Sequence, residues 1–345
     1  MNVKEAIQKV VEGETLTRAE AAAAMDAIMT GEATGAQIGA LVTALRMRGE
    51  TEEEIAGFAE AMRRHALPVP RVTADALVDT CGTGGDGAKT FNISTAAAFV
   101  VAGAGVRVAK HGNRAMTSRC GSADVLEGLG VRIDLPPEAV ARCIDEVGIG
   151  FLYAPRFHPA MRFAGPPRRE IGIRTVFNLL GPLTNPAAAQ HQIVGVANAE
   201  VAEKLARVLG LLGTSHALVV HSHDGLDELS IAAPTAVSEV RANGEVTLRR
   251  YEIAAEEVGL PPASLAEVRG GDVEDNVAII RHVLGGGNGA PRAITILNAA
   301  AALYAADVVG SIAEGVQVAA ESIDSGAAAA KLAELVALSN RLAEA

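Results

Sequence analysis

A glycine-rich turn between a short apolar run and an alanine-rich segment constrains this chain more than any other feature. The apolar run covers Ala76–Cys81, and Gly82, Gly84 and Gly87 follow it. The next segment, Ser94–Ala104, has the composition of a helix. A strand that ends in such a turn and continues into a helix is typical of a βαβ unit, in which ligands bind at the carboxyl end of the strand.

The spacing of the glycines disfavours two common phosphate sites. Gly82, Gly84 and Gly87 match G-x-G-x-x-G, but a dinucleotide site needs an acidic residue about 20 positions further on. This chain has Arg107 and Lys110 there instead. A P-loop requires lysine directly after its last glycine, and here one alanine is inserted before the lysine.

A third kind of phosphate site fits better. Asn92–Thr95 places three side-chain oxygens at the predicted N-terminus of the helix, where free N–H groups and the helix dipole favour an anion. Simple N-capping by Ser94 or Thr95 is the alternative interpretation, and it explains only one hydroxyl. The segment therefore predicts a cradle for phosphate groups.

The sequence before and after Pro68 and Pro70 follows two different patterns. The first 66 residues predict helices only, with capping boxes at Thr17–Glu20 and Thr51–Glu54. After the prolines, apolar strand-like runs alternate with helical segments. The predicted fold class is α/β: a small all-helical domain plus a larger α/β domain with a mostly parallel central sheet. We also expect a hairpin around Asn243 and Gly244, and a strand at Ala293–Leu297.

Composition and charge exclude several classes of function. The chain has 345 residues, a net charge of −11, 3% aromatic residues and no Trp, which disfavours nucleic-acid and membrane binding. Its three cysteines, Cys81, Cys120 and Cys143, form no C-x-x-C motif, which predicts a reducing compartment without disulfides or zinc. With no predicted leader or membrane span, we expect a cytoplasmic protein.

Two further clusters of polar residues follow predicted strands. Lys110–Arg114 and Met116–Ser122 come after the strand Val106–Ala109, so this basic cluster is expected beside the glycine turn. Asp227 and Glu228 follow the strand Ala217–His221, and adjacent carboxylates suit Mg²⁺ shared with phosphates. Together these strand ends predict a site for a ligand with several phosphates.

Five motifs in this order resemble the anthranilate phosphoribosyltransferase family of tryptophan biosynthesis, over essentially the whole chain. The motifs are Gly82–Asp86, Asn92–Thr95, Lys110–Arg114, Arg174–Pro186 and Asp224–Glu228. The resemblance implies a helical domain at 1–67 with a returning segment at about 163–185, and an α/β domain at 71–162 and 186–345. It also implies a homodimer formed through the helical domain.

The resemblance implies a reaction and its site residues. The family transfers the phosphoribosyl group of phosphoribosyl pyrophosphate to the amine of anthranilate, with release of pyrophosphate, in the second step of tryptophan biosynthesis from chorismate. Gly82, Asn113 and Arg168 would contact anthranilate, with Arg169 as the alternative to Arg168. Ser94, Asp227 and Glu228 would bind Mg²⁺, with two ions per site. The residues implied for phosphoribosyl pyrophosphate are Gly82, Gly85, Asp86, Thr90, Asn92, Ile93, Ser94, Thr95, Lys110, His111, Gly112, Asn113, Arg114, Ala115, Met116, Thr117, Ser118 and Ser122.

Other interpretations of the same motifs remain open at this point. The chain could be a nucleoside phosphorylase, a class that shares the implied fold, or a transferase with another aromatic acceptor. Arg168 and Asn113 favour a carboxylated aryl amine as acceptor. A non-enzymatic paralogue that binds nucleic acid would need a basic groove and degraded carboxylates, whereas the chain is acidic and keeps Asp227 and Glu228. Pro167 and Cys120 depart from the family pattern. No catalytic base is assigned: His111 is the nearest candidate, and a role in holding the turn is equally consistent with its place.

Overall fold

Four helices precede the first strand, and a side chain caps the beginning of each. Asn2, Thr17, Thr34 and Thr51 each accept a hydrogen bond from the backbone N–H three residues later, and the Glu or Gln at that position bonds back. The predicted capping boxes at Thr17 and Thr51 are therefore confirmed. The helices are α1 (Val3–Val11), α2 (Arg18–Met29), α3 (Gly35–Arg48) and α4 (Glu52–His65).

A seven-stranded sheet follows these helices in the computed structural model, which describes residues 1–70, 72, 76–115, 119–243 and 245–344. The spatial order is β3-β2-β1-β4-β5-β6-β7, with β1 to β5 parallel and β6 and β7 antiparallel to their neighbours. The predicted fold class is thus confirmed. The strands are β1 (Leu77–Gly82), β2 (Arg107–Gly112), β3 (Ile149–Tyr153), β4 (His191–Gly195), β5 (His216–Ser222), β6 (Thr235–Asn243) and β7 (Glu245–Ile253).

The remaining helices connect and cover the strands. The helices between β1 and β5 are α5 (Ile93–Gly103), α6 (Ser122–Gly128), α7 (Pro137–Arg142), α8 (Ala154–Phe157), α9 (Met161–Ile171), α10 (Phe177–Leu180) and α11 (Ala199–Leu211). The C-terminal helices are α12 (Val273–Leu284), α13 (Ala290–Ala305), α14 (Ile312–Asp324) and α15 (Ala327–Ala343). Within the described ranges, none of these helices is long and apolar enough to cross a membrane.

Two buried apolar clusters form the core. The larger one surrounds α5, whose residues Ala96–Ala102 are almost completely buried, and includes residues of α13. The second contains Leu41 and Phe58 of the first helices together with Val194 of β4 and Val219 of β5. Because the second cluster is continuous, the helical bundle packs directly against one half of the sheet. This packing places the bundle next to the ends of β1 and β4.

The strand predicted at Ala293–Leu297 is wrong, because these residues lie inside α13. Nearly every residue of α13 from Ala293 onward is buried. A helix that is buried all round shows no polar face, so its apolar run cannot be distinguished from a strand by periodicity. The hairpin of β6 and β7 is confirmed and is longer than expected; Gly244 lies outside the described residues.

β2 is longer than the predicted strand Val106–Ala109. It continues through Lys110 and His111 to Gly112, and it pairs with β3 along this extension. Lys110 and His111 are therefore strand residues with buried side chains, not residues of the following loop. Because of this extension, the basic cluster does not present Lys110 and His111 as exposed side chains of a loop.

Candidate active site

The candidate site lies where the order of the strands reverses. The chain runs from β1 to β2 on one side of the sheet and returns to β4 on the other side of β1. At this point Gly82, the last residue of β1, pairs with Gly195, the last residue of β4. A crevice forms between neighbouring parallel strands at such a reversal, outside their carboxyl ends.

Two connections converge on this crevice. The N–H of Gly84 in the loop after β1 donates to Asp227 Oδ2 at 2.9 Å, although the two residues are far apart in sequence. A Cβ atom on Gly195 would lie 1.6 Å from the carbonyl oxygen of Asp227, so only glycine lets the loop after β5 cross β4 here. The predicted proximity of the glycine turn and the carboxylate pair is thus observed in the structure.

The N-terminus of α5 carries polar atoms without partners. Asn92 occupies the N-cap position, but its side chain makes no capping hydrogen bond to the helix. Simple capping by Ser94 or Thr95 is therefore the wrong interpretation. The buried Oδ1 of Asn92 and Oγ1 of Thr95 have no hydrogen-bond partner among the described residues. Unpaired buried oxygens cost free energy, so this helix terminus is arranged for a ligand or ordered water.

Asp227 and Glu228 form a pair of half-buried carboxylates. Burial raises the pKa of Asp227, and the nearby Asp86 raises it further. Burial also raises the pKa of Glu228, followed by the negative charge of Asp227. Among the described residues, no group of three His, Cys, Asp or Glu side chains could hold a metal ion on its own. Two oxygen donors with excess negative charge still fit a hard cation that takes its other ligands from phosphates and water.

Lys110 lies beneath the α5 terminus. Its side chain is 3% exposed, and Nζ donates to the carbonyl oxygen and Oγ1 of Thr80 and to Ser94 Oγ. Burial lowers the pKa of Lys110, while the carboxylates of Asp79 and Glu228 oppose that effect. The ammonium therefore contacts Ser94 from inside the protein and supplies a buried positive charge to this end of the sheet.

Two residues next to Lys110 were missed as parts of the site, although both stand in or beside quoted motifs. Asp79 is fully buried and accepts hydrogen bonds from the N–H of His111 at 3.1 Å and from Asn185 Nδ2 at 2.8 Å. Asn185 Nδ2 also donates to the carbonyl oxygen of Ala109 at 2.8 Å. A carboxylate inside an otherwise apolar strand was the available signal. These bonds tie β1 and β2 to the segment before β4.

His111 and His158 are buried with their rings adjacent. Their ring centroids are 5.1 Å apart, and His111 Nδ1 lies 3.2 Å from the carbonyl oxygen of Gly181. Burial lowers the pKa of His111 to about 3, with His158 contributing, and lowers the pKa of His158 to about 4. Both rings are therefore neutral at pH 7. The Nε2 atom of each has no partner among the described residues.

The residues after β2 line the other side of the crevice. Ser122 Oγ donates to the carbonyl oxygen of Asn113 at 3.3 Å, and the N–H of Ala115 donates to Asp124 Oδ2 at 2.9 Å. The Arg114 guanidinium pairs with Asp124 and Glu127, so its charge is already compensated within the chain. Met116, Thr117 and Ser118, which the sequence also assigned to the substrate, lie outside the described residues.

Arg168 lies on α9 and lacks an acidic partner. Its Cζ is 5.0 Å from the centroid of the Phe177 ring, and burial lowers the pKa of its guanidinium. No carboxylate lies within 4 Å of it in the described part of the chain. Neighbouring Pro167, one of the departures noted above, packs near Gly35 of α3. A half-buried arginine stacked on an aromatic ring is well suited to a planar carboxylate ligand.

Most predicted site residues are brought together by this arrangement. Gly82, Gly85, Asp86 and Thr90 belong to the end of β1 and the loop after it, while Asn92 to Thr95 begin α5. Lys110 to Gly112 end β2, and Asn113 to Ala115 follow it. Arg168 stands apart, because no hydrogen bond or ion pair joins it to these groups within the described ranges.

Comparisons with known proteins agree with the architecture of the site. Residues 4–66 match the helical bundle domain of a glycosyl transferase family, and residues 74–329 match its a/b domain. An anthranilate phosphoribosyltransferase of Thermomicrobium roseum is 62% identical over 339 residues, covering 98% of this chain and 97% of the relative. The chain belongs to the anthranilate phosphoribosyltransferase family. It is accordingly a glycosyltransferase-type enzyme.

Solved structures of anthranilate phosphoribosyltransferases share the fold. The Thermus thermophilus enzyme is 46% identical with a TM-score of 0.92, and the match covers 97% of this chain and 99% of that one. The Saccharomyces cerevisiae enzyme, solved in complex with phosphoribosyl pyrophosphate and Mg, is 28% identical with a TM-score of 0.89 and 98% coverage of both chains. The yeast enzyme has also been solved with 4-fluoroanthranilate.

Proposed function

We propose that this chain transfers the phosphoribosyl group of phosphoribosyl pyrophosphate to the amine of anthranilate. The products are N-(5-phosphoribosyl)anthranilate and pyrophosphate, as in the second step of tryptophan biosynthesis from chorismate. The observation that carries the proposal is the α5 terminus, where two buried oxygens without partners stand beside a carboxylate pair. Full-length similarity to enzymes of that name supports it.

Phosphoribosyl pyrophosphate would lie across the reversal point. Its pyrophosphate end would contact Gly85, Asp86, Thr90 and Asn92–Thr95, where N–H groups at a helix N-terminus favour a polyanion. The rest of the substrate would lie along Lys110–Ser118 and Ser122. In this arrangement Lys110 acts from below, through its contact with Ser94 Oγ and its positive charge, and not as an exposed phosphate ligand.

Ser94 would hold one Mg²⁺ ion, and Asp227 and Glu228 would hold a second. The excess of negative charge at Asp86, Asp227 and Glu228 supports this assignment. When bound, the metal stabilises negative charge on the departing pyrophosphate. The Glu228 carboxylate lies beside the N–H of Ser94, so the residues assigned to the two ions are neighbours in the structure.

The residues of the chain would accelerate the reaction mainly by positioning and by stabilising charge. The C1–O bond of the ribose breaks as C1 takes on oxocarbenium character, and the amine nitrogen attacks the opposite face with inversion. N–H groups at the beginning of α5 stabilise the charge that grows on the leaving oxygen. The aryl amine is neutral at pH 7 and needs no base before attack. His111, with its pKa near 3, is poorly suited to take a proton.

Arg168 would orient anthranilate through its carboxylate, and Gly82 and Asn113 would contact the same substrate. The guanidinium has no acidic partner within the described residues, and Phe177 supports one of its faces. A bidentate bond to a carboxylate would use the free edge of the guanidinium. The acceptor would then be selected by charge as well as by shape.

The activity is tested by following anthranilate fluorescence with the chain, phosphoribosyl pyrophosphate and Mg²⁺, omitting each in turn. Loss of the signal is expected only when all three are present. Turnover of nucleosides and phosphate, with no consumption of anthranilate, would favour a nucleoside phosphorylase and would overturn the proposal.

The role of Arg168 is tested by comparing Arg168→Ala with Arg142→Ala, which removes an exposed arginine of α7 that pairs with Glu146. We expect Arg168→Ala to raise the KM for anthranilate about 100-fold, as for loss of a charge-assisted bidentate contact, and to leave the KM for phosphoribosyl pyrophosphate nearly unchanged. Equal losses for both substrates would contradict the assignment.

We also propose that the chain is a cytoplasmic homodimer formed through its helical bundle. Met47 of α3 is 84% exposed and Val11 of α1 is 68% exposed, and both are large apolar side chains on the bundle. The three cysteines form no C-x-x-C motif in the sequence, which supports a reducing compartment. Light scattering on Met47→Asp, with Val308→Asp as the control, tests the dimer: only the first variant should become monomeric.

A further inference from the structure

The loop after β1 is held from two sides by side chains from distant parts of the chain. On one side, the N–H of Gly84 donates to Asp227 Oδ2 at 2.9 Å. On the other side, Arg174 Nη2 donates to the carbonyl oxygen of Thr83 at 3.3 Å. Two adjacent loop residues are therefore bound to groups of opposite charge.

The guanidinium of Arg174 is packed closely on the loop. A Cβ atom on Gly85 would lie 1.9 Å from Arg174 Nη1, so a side chain there would displace the end of this arginine. Gly85 also has φ +85°, a conformation that residues with a side chain rarely adopt. The backbone conformation therefore favours glycine at this position, and the absence of a side chain lets Arg174 approach the loop closely.

Arg174 reaches the loop from a rigid anchor. The three residues that follow it, Thr175, Val176 and Phe177, are buried, and the last two belong to the apolar cluster of the helical bundle. The N–H of Thr175 donates to Asn178 Oδ1 at 2.9 Å, which orders the chain directly behind the arginine. The exposed guanidinium is thus carried by the bundle and contacts the loop of the α/β unit.

The charge of Arg174 acts on the carboxylate on the other side of the loop. Arg174 contacts Thr83 and Asp227 contacts the adjacent Gly84, so the guanidinium and the carboxylate meet the same short stretch of the loop. No acidic side chain lies within ion-pair distance of Arg174 in the part of the chain that the structure describes. Its charge is therefore available to the loop and to whatever binds there.

We propose that Arg174 is a positioning residue that holds the glycine loop in place for phosphoribosyl pyrophosphate and places a positive charge near Asp227 before a metal ion arrives. This inference deepens the proposed function and rests on it for the identity of the substrate. A fixed loop presents its N–H groups to the pyrophosphate without first being ordered. The same positive charge repels a divalent cation that binds to the carboxylates of Asp227 and Glu228.

These two roles have effects of opposite sign. Loss of Arg174 frees the loop and removes a charge that attracts a polyanion, so phosphoribosyl pyrophosphate should bind more weakly. It also removes a positive charge that repels a divalent cation, so such a cation alone should bind more tightly. A residue that merely supported the fold would not strengthen metal binding.

The experiment compares Arg174→Gln, Arg174→Lys and the control Arg142→Gln, which changes the net charge equally on an exposed helix. Hydrogen exchange of the loop is followed in the full chain without ligands, and Mn²⁺ binding is titrated by electron paramagnetic resonance. KM and kcat are then measured for both substrates. Thermal unfolding verifies that each variant is folded.

For Arg174→Gln we expect about threefold faster exchange of the loop amides, about tenfold higher KM for phosphoribosyl pyrophosphate and about threefold tighter Mn²⁺ binding. The KM for anthranilate should stay the same. Arg174→Lys should restore Mn²⁺ binding to the wild-type value through its charge, but not the slow exchange, because its single donor does not reproduce the fork of the guanidinium.

Unchanged loop exchange in Arg174→Gln would overturn the positioning role, and Mn²⁺ binding equal to or weaker than that of the wild type would overturn the role of the charge. Both readouts are obtained without turnover. Absence of anthranilate turnover in the wild-type chain would therefore refute the proposed function, while the exchange and Mn²⁺ data would still decide the inference about Arg174.

Discussion

The two ends of the parallel strands treat buried polar groups in opposite ways. At the amino ends of β4 and β5, His216 lies between Glu239 at 3.2 Å and Asp307 at 3.0 Å, and Arg241 pairs with both carboxylates. At the carboxyl ends, Asn92 Oδ1, Thr95 Oγ1 and the Nε2 atoms of two histidines have no partner among the described residues. One end completes most of its own hydrogen bonds, and the other leaves several for a ligand.

Glu239 and Asp227, one carboxylate from each end, show how this difference affects the pKa. Burial tends to raise the pKa of Glu239, but hydrogen bonds from His216 and Arg241 outweigh it and the pKa falls to about 2. Burial also raises the pKa of Asp227, and there the nearby Asp86 adds to it. Burial affects the two carboxylates in the same direction, so the partners decide the sign. Because its partners are cationic, Glu239 stabilises the fold. Asp227 lies beside like charges instead, so a bound cation would relieve the repulsion.

The largest expected effect comes from removing the charges of the site. We expect Asp227→Asn with Glu228→Gln to lower kcat/KM at least about 10⁴-fold, because both assigned metal ligands are lost. The melting temperature should stay the same or rise, since a repulsion is removed. Steady-state kinetics over a range of Mg²⁺ concentrations and calorimetry measure the two quantities. A clear fall in stability together with retained activity would show that Asp227 and Glu228 stabilise the fold, as Glu239 does at the amino ends of the strands.

The next effect concerns the cation beneath the site. Lys110→Met leaves the fully buried Asp79 without its nearest positive charge, and we expect the free energy of unfolding to fall by about 3–5 kcal/mol. Lys331→Met, which removes a helix-surface lysine that pairs with Glu334, is the matched control and should change little. Urea denaturation gives both values. Equal stability of the two variants would show that Lys110 serves the ligand alone.

The sequence predicted features that depend on local chemistry. The capping boxes at Thr17 and Thr51, the beginning of α5 and the ends of β1 follow from residues within a few positions of each other. The strand predicted at Ala293–Leu297 was wrong because a completely buried helix has no polar face. Local pattern therefore sufficed where capping residues or glycines mark the end of an element.

Contacts between distant residues were beyond such reasoning. The motif that begins with Arg174 was recognised, but the contact of its guanidinium with Thr83 depends on how the bundle packs against the sheet. The spacing placed Lys110 at a strand end, yet its burial beneath Ser94 depends on the longer β2 and on Asp79. The sequence thus located the site, and packing determines which of its charges are exposed.

A smaller effect is expected at the end of the sheet that satisfies its own groups. Glu239→Gln should lower the free energy of unfolding at pH 7 by about 2–3 kcal/mol, as for loss of charged hydrogen bonds, and leave kcat/KM nearly unchanged. The folded pKa of about 2 is below the unfolded value, so this carboxylate stabilises the fold above about pH 4.5 and loses that effect as the pH falls towards 2. The variant should therefore unfold with a weaker dependence on pH in this window. Acid denaturation followed by circular dichroism measures it, and an unchanged acid transition would contradict the assignment.

The effect that is smallest at neutral pH separates the two ends by their histidines. In the folded chain, the pKa of His158 is about 4 and that of His111 about 3, whereas in the unfolded chain both are near 6.5. Between about pH 6.5 and pH 4 the unfolded state binds more protons, so stability must fall as the pH falls, by up to about 1.4 kcal/mol per pH unit for each ring. Urea denaturation at several pH values should show this slope in the wild-type chain and lose most of it in His111→Gln with His158→Gln. His223→Gln, which removes an exposed histidine beside Glu252, should keep it. If the double variant retained the full slope, the neutral pair of histidines could not be what distinguishes this end of the sheet.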